Sequence, residues 1–490
     1  MSQNRSEWNS SFAFLIAMIG SAVGLGNIWR FPYVLYSNGG GSFIIPYIVA
    51  ILLLGFSLAL LEYSVGYKFK ASFSKTFNKI KPKLEYVAWF ICFTVFLIVS
   101  YYVTVIGWDL LYLILSFFKG WGADPNLFFI DSILNQNNSI AGLFTFSPLV
   151  LIATILVWAM AWYISHRNIN SGIAKVSKIL VPLLFVMVII IVLFSLTLPG
   201  ASIGYSAMFT PDWGALLDLN IWIAAFGQIL FSLSLGMAIL ITYSSYLPDD
   251  SKLVDNAAIV IFSNSSFEIF NAIGVFSILG FMSFTSGIQI NELITEGTGL
   301  AFIAFPKVFN VMGDAAYILG PLFFACILFA GITSLVSLLE PFIDSISDKF
   351  GSSRKKTTTI ICIIGFCIST IFTTGMGSFI LEIFDGFLNN FSLLLGVLFE
   401  CVIFGWFYSI DDLLEVINKN TSIKIGIWWK NVVKYVLPIV LSVLLLKGIY
   451  DSIFLGSPEE YVIKGILILL LIIVPIVLTK VKGKENSVLT

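Results

Sequence analysis

Charge is scarce in this sequence. Asp, Glu, Lys and Arg make up 11% of its 490 residues, less than half of the roughly 25% usual for soluble domains. A soluble core of this size would need far more polar surface to cover it, which excludes a water-soluble globular fold. Histidine is nearly absent: His166 is alone, at the end of an apolar run, where a solvated or interfacial ring is the ordinary outcome. There is no zinc-ligand spacing, no nucleophile–base constellation and no nucleotide-binding motif, so an enzyme is not expected. Cys92, Cys326, Cys362, Cys367 and Cys401 all fall in apolar runs, which predicts no structural disulfide. Linkers and low-complexity tracts are missing as well, so residues 1–490 read as one domain.

What is present is apolar. Hydrophobic residues reach 58% and aromatics 16%, and runs of a length that crosses the ~30 Å hydrocarbon core recur from end to end. We expect an all-α membrane protein of about twelve transmembrane helices, at roughly 9–36, 42–69, 86–118, 148–166, 171–196, 220–248, 254–284, 316–348, 357–374, 378–408, 431–449 and 461–480. The long connection 285–315 is expected to form a helical cap. Basic residues cluster at Lys68–Lys83, Arg167–Lys178, Arg354–Lys356, Lys424–Lys434 and Lys480–Lys484, whereas the intervening loops are neutral or acidic. By the positive-inside rule both termini are cytoplasmic, with a multi-pass protein in the cell (plasma) membrane. The polar start, with Arg5 and Glu7, predicts no cleavable signal.

Two spans are unlike plain helices. The first carries Gly20-Ser21-Ala22-Val23-Gly24-Leu25-Gly26-Asn27 and the sixth carries Gly227-Gln228 through Ser232, Ser234 and Gly236. Small residues in one membrane helix more often serve close packing. Here, however, polar Asn27 and Gln228 accompany the glycines, and the two spans hold corresponding places in two five-span halves. Paired interruptions point to an inverted-repeat transporter with its site at the midplane. Peptide groups freed there must coordinate something: carbonyls suit Na⁺, and exposed N–H groups at a half-helix N-terminus suit a carboxylate.

The run Gly24-Leu25-Gly26-Asn27-Ile28-Trp29-Arg30-Phe31-Pro32-Tyr33, then Asn38-Gly39-Gly40-Gly41, resembles the first-span signature of the neurotransmitter:sodium symporters, notably their bacterial and archaeal amino-acid branch. Tyr101-Tyr102, Gly227–Gly236, Asn264, Ala330-Gly331-Ile332-Thr333-Ser334 and Asp385 follow in family order over nearly the whole chain. The resemblance implies a five-plus-five inverted repeat (about 9–196 and 220–408) with unwound first and sixth helices, and two accessory helices at about 431–480. It implies two Na⁺ ions and an amino-acid substrate in a lipid bilayer, without an organic cofactor or nucleic-acid partner; the oligomeric state stays open.

Carried over by residue, the resemblance puts one sodium among Ala22, Asn27, Ser232 and Asn264, and a second among Gly20, Val23, Ala330, Thr333 and Ser334. Oxygen donors of this kind suit a hard cation, although serine and threonine hydroxyls also bond helix carbonyls in ordinary spans. The substrate carboxylate would meet Leu25, Gly26 and Tyr102. Gly24 stands where relatives that carry biogenic amines place an aspartate, so the ligand is expected to bring its own carboxylate. Ile98, Tyr102, Phe231, Ser234, Met237, Ser334 and Leu338 would line an uncharged pocket for a large hydrophobic or aromatic side chain, with Ile98 and Leu338 equally readable as core. Arg30 and Asp385, with Phe231 and Tyr102 beneath, would gate one end; Arg5 and Asp348, near Ser245 and Tyr246, the other. Tyr47, Gln228, Ser232 and Glu268 match the chloride-binding positions of relatives, with the Glu268 carboxylate replacing the anion and exchanging a proton. Glu62 reads as a structural acid. Gly172 and Pro182 fit either a helix start with a kink or a segment that unwinds. A channel and a non-transporting amino-acid receptor are the alternatives, and the paired gates favour a transporter.

Overall fold

The computed structural model describes residues 7–137, 139–294, 297–454 and 457–483. Among them, ten helices are long and apolar enough to cross a membrane, and an eleventh span arises from Ser11–Ala22 and Gly26–Ser37, which meet at a 55° bend. The sixth expected span is present as two shorter pieces, Leu219–Ser232 and Ile239–Ser244. No strand occurs among the described residues; pairing of extended backbone is limited to Gly40 with Pro211 and Phe146 with Thr374. The 285–315 connection contains the expected cap as the apolar helix Leu300–Val311.

Local sequence sets the helix ends. Ser10 accepts from the Ala13 N–H to start the first span. Ser147 and Ser457 do the same for Val150 and Glu460, each followed by a proline at the first helical position, where a missing N–H costs nothing. Glu459 and Glu460 add negative charge at that second N-terminus, opposite in sign to the helix dipole there. The long seventh and eighth spans, Leu253–Ser286 and Gly313–Phe350, stop at the left-handed Gly287 and Gly351.

Burial sorts the spans into centre and rim. The apolar stretch of the third, Pro82–Ser116, is 94% buried and that of the eighth 83%, whereas the last helix, Pro458–Lys480, is 17% buried and turns its face to lipid. The third span is therefore the axle against which the eighth packs, and its side chains reach the centre of the bundle. The last helix packs on the third span through buried Leu467 and Leu471, and is also fastened at its end. Lys349 Nζ donates to the Leu478 carbonyl at 2.6 Å and to Glu85 Oε1 at 2.6 Å, and Glu85 also accepts from Trp89 Nε1 and Asn78 Nδ2. Both charged side chains are only 10% exposed. Removing one partner of a buried pair strands the other, at about 3–5 kcal/mol, while removing both is far milder. Lys349→Met is thus expected to lower the Tm of the detergent-solubilised protein, and Glu85→Gln in the same chain to restore much of it; an unchanged Tm in the single variant would refute the clamp.

Candidate functional site

The first break is built by the backbone and one amide. Val23 leaves the helix in an extended conformation, its N–H still donating to the Ile19 carbonyl at 2.8 Å. The Gly24 N–H then turns to Asn27 Oδ1 at 2.8 Å, so a side chain takes the place of a helix carbonyl. Asn271 Nδ2 steadies the far side, donating to the carbonyls of Asn27 and Ile28 at 3.2 and 3.0 Å. Between these anchors the Ala22–Gly26 backbone faces inward.

The sixth span breaks over Leu233–Ala238, where Ser234, Gly236 and Ala238 adopt left-handed φ values of 53°, 70° and 62°. Two of the three are not glycine and carry a real steric cost. Gly236 is needed for space as well: a β-carbon would stand 1.9 Å from Val397 Cγ2. Its freed N–H donates to Glu62 Oε1 at 2.9 Å, so Glu62 holds the break from the second span, as its structural reading expects. Ser234 Oγ and Ser334 Oγ each donate to the Ser21 carbonyl at 3.2 Å, which ties the two breaks and the eighth span together.

Beside the breaks lies a buried polar knot. Tyr47 Oη donates to Glu268 Oε2, while Gln228 Nε2 and Asn27 Nδ2 donate to Glu268 Oε1 at 2.9 and 3.1 Å. Asn27 Nδ2 also donates to Asn264 Oδ1 at 2.8 Å, and Asn264 Nδ2 to Ser232 Oγ at 3.2 Å. Three of the expected chloride-position residues, Tyr47, Gln228 and Ser232, thus reach the carboxylate of the fourth, Glu268, next to the expected first-sodium set of Asn27, Ser232, Asn264 and the Ala22 backbone. These donors are neutral oxygens plus one carboxylate, a chemistry that fits Na⁺. No cluster of three or more His, Cys, Asp or Glu gathers among the described residues.

The second sodium set is also assembled. Gly20 packs against Thr333, whose Oγ1 lies 3.6 Å from where a Gly20 β-carbon would be. Thr333 Oγ1 donates to the Phe329 and Ala330 carbonyls at 2.9 and 3.1 Å, so in this arrangement the hydroxyl also makes the ordinary within-helix bond. Val23, the remaining expected member, stands at the end of the first helix. Val181 of the fifth span closes on Gly20 from behind, and that span is continuous helix from Asn170, with Pro182 inside it.

The pocket residues surround the first break. A β-carbon on Gly24 would stand 3.3 Å from Ser334 Oγ and 3.5 Å from the Tyr102 hydroxyl, and one on Gly26 only 2.7 Å from the Phe231 ring. Tyr102 is within hydrogen-bonding reach of the Leu25 backbone and Ser334. Ile98 and Leu338 lie one turn from Tyr102 and Ser334 on the same helices, and both are buried, as is Met237. Above them, the Arg30 guanidinium covers the Phe231 ring at 5.0 Å and donates to Gln228 Oε1 at 3.2 Å. Its charge reaches Asp385, which accepts from Tyr101 Oη at 2.7 Å and Asn389 Nδ2 at 2.8 Å.

At the other end Arg5 lies outside the described residues. Asp348 accepts from Ser72 Oγ at 2.7 Å and pairs with Lys75 at 3.2 Å, and Ser245 Oγ bonds the Thr242 carbonyl. Tyr246 Oη donates to Glu340 Oε1 at 3.2 Å, and Arg354 grips both Glu340 oxygens, at 2.7 and 2.5 Å. Trp8 inserts beneath, its Nε1 donating to the Tyr243 carbonyl at 2.9 Å. Sequence reasoning missed Glu340, Arg354, Asn271 and Trp8. An acid at 340 inside an apolar run was the one visible signal, since such a charge requires a partner.

Two helices broken opposite one another, around gathered cation donors and between two polar closures, define a secondary transporter. A family profile described as the sodium:neurotransmitter symporter family matches residues 5–139 and 123–479. An uncharacterized sodium-dependent transporter of Methanocaldococcus jannaschii is 41% identical, covering 98% of both chains. The sodium-dependent nutrient amino acid transporter 1 of Drosophila grimshawi is 26% identical over 93% of this chain and 78% of its own. The crystal structure of MhsT in complex with L-phenylalanine matches with a TM-score of 0.77 and 30% identity, over 91% of this chain and 100% of that one. This chain belongs to the sodium:neurotransmitter symporter family, whose members are sodium-coupled transporters and not enzymes.

Because one carboxylate oxygen holds the sixth-span break, Glu62→Leu leaves the Gly236 N–H buried and unpaired, at about 1–3 kcal/mol. Glu62→Gln keeps an acceptor oxygen. The leucine variant is expected to melt lower than parent and the glutamine variant near it; equal melting of the two variants would rule out this role.

Proposed function

We propose that the chain carries out sodium-coupled symport of a neutral amino acid with a large hydrophobic or aromatic side chain, by alternating access. The observation that carries this reading is the joint gathering of the Leu25–Gly26 backbone, Tyr102 and Ser334 at the first break, with no charged side chain among them. Backbone N–H groups and a tyrosine hydroxyl suit the substrate carboxylate. Gly24 leaves no acid for an amine-only ligand, and the apolar lining disfavours charged side chains, whose desolvation would go uncompensated. L-Phenylalanine bound to MhsT supports an aromatic substrate.

On this reading one sodium is held by Ala22, Asn27, Ser232 and Asn264, with the substrate carboxylate, and the other by Gly20, Val23, Ala330, Thr333 and Ser334. Arg30 and Asp385, over Phe231 and Tyr102, close the outer side; Asp348, Ser245 and Tyr246, with Glu340 and Arg354, close the inner. The basic loops put both termini in the cytoplasm of a plasma-membrane protein, and residues 1–490 act as one transporter domain of two repeats and two accessory helices. Glu268 supplies the negative charge that relatives take from chloride, ionised while sodium is bound and protonated on the return.

Two experiments test this. Thermal stabilisation of the purified protein by each common amino acid, with Na⁺ or with K⁺ in its place, is expected to single out large neutral side chains in Na⁺ alone; stabilisation indifferent to Na⁺ would defeat the symport reading. Glu268→Ser is expected to make uptake into proteoliposomes chloride-stimulated, while parent uptake ignores chloride. A sodium-binding serine variant without that stimulation would remove Glu268 from the anion role.

A further inference from the structure

A second buried acid stands apart from this machinery. Asp109, in the third span, is 0% exposed, and among the described residues neither carboxylate oxygen has a hydrogen-bond partner. Its neighbours Trp108 and Tyr112 leave an indole N–H and a hydroxyl unpartnered as well. Native interiors contain few such groups, and three within one turn of one helix require an account. The shell around them is aromatic. Tyr112 packs against Trp121, Phe302 and Phe324 with ring centroids 6.0, 5.0 and 5.4 Å apart, and Trp108 against Phe129 and Phe302 at 5.6 and 6.1 Å. Phe302 comes from the cap helix and Phe324 from the eighth span.

The titratable groups that feel Asp109 are Tyr102, two turns away on its own helix, and Cys326 on the eighth span; among the described residues no lysine or arginine offsets its charge. An ionised carboxylate in dry apolar surroundings costs many kcal/mol, so the group binds a cation or carries a proton. No neutral oxygens converge on it as they do at the breaks, which leaves the proton. Water is close by: a cavity of about 260 Å³ is bounded by Trp108, Phe129, Gln136, Thr298 and Glu382.

We propose that Asp109 is a proton-binding site linked to the transport cycle and separate from the Glu268 knot. The carboxyl keeps its O–H bond while the aromatic shell is closed, as here. When Phe302 and Phe324 part from Tyr112 and Trp108, the O–H bond breaks, the proton passes to water of the adjoining cavity, and the carboxylate is left hydrated. This rests on the symport reading, in which sodium and substrate favour the closed arrangement. Their binding then takes up a proton at Asp109, so affinity weakens as pH rises, by up to about tenfold per pH unit for one linked proton. Linkage through Glu268, ionised in the sodium-bound form, has the opposite sign.

The test uses the purified full-length protein and L-phenylalanine in saturating NaCl, with Kd measured between about pH 6 and 9. For the parent, Kd is expected to rise about tenfold or more across this range; Asp109→Asn should flatten or reverse the slope and Asp109→Glu should keep it. Infrared spectra should contain a protonated-carboxyl stretch in the parent that Asp109→Asn lacks. A parental slope retained by Asp109→Asn, or no carboxyl band lost in that variant, overturns the proposal. The infrared measurement needs no ligand. Absence of any Na⁺-dependent binding would therefore defeat the symport reading while the spectra still decide whether Asp109 holds a proton.

Discussion

The arrangement depends on a peptide group inside an apolar bundle having nowhere to go. Once the first helix turns aside at Val23 and the sixth at Leu233, several N–H and C=O groups lose their helical partners far from bulk water, at a cost of several kcal/mol for each left unmet. The fold answers with side chains, most of them from other spans. Asn27 meets Gly24, Asn271 meets the carbonyls beyond, Glu62 meets Gly236, and Ser234 and Ser334 meet Ser21. The Asn271, Glu62 and Ser334 bonds each tie a broken helix to an intact one, so the interrupted segments are pinned to the frame.

The same economy governs the two closures. Arg30 is used twice, over Phe231 and toward Gln228, which connects the lid of the pocket to the Glu268 knot through a single side chain. At the opposite end Tyr246, Glu340 and Arg354 link the second half of the sixth span to the eighth and ninth. On the proposed alternating-access reading, these polar contacts are the ones that separate and re-form.

Much of this was legible in the sequence, for identifiable reasons. Span positions follow from apolar run length, and the structure moves their ends by a few residues where capping serines and left-handed glycines set the boundary. The breaks were visible because glycine and polar residues coincide within otherwise apolar runs, whereas the members of the Glu268 knot were expected from the family resemblance, and helix spacing added only that Glu268 faces the same way as Asn264. Long-range choices were not visible. Arg354 sits among lysines and reads as part of a basic loop until the fold brings Glu340 to it. Asp109 looks like any acid within a span, and only three-dimensional packing reveals that no hydrogen-bond partner reaches it among the described residues. Lys349 carries no local sign that it will hold the end of a helix more than a hundred residues away.

The two oxygens of Glu268 are shared by Tyr47 from the second span, Asn27 from the first and Gln228 from the sixth, while Asn264 joins Asn27 to Ser232. Each member bonds a side chain from another span, so a change at one disturbs the partners of the next. The effects of substitutions within this group are therefore expected to be coupled rather than additive.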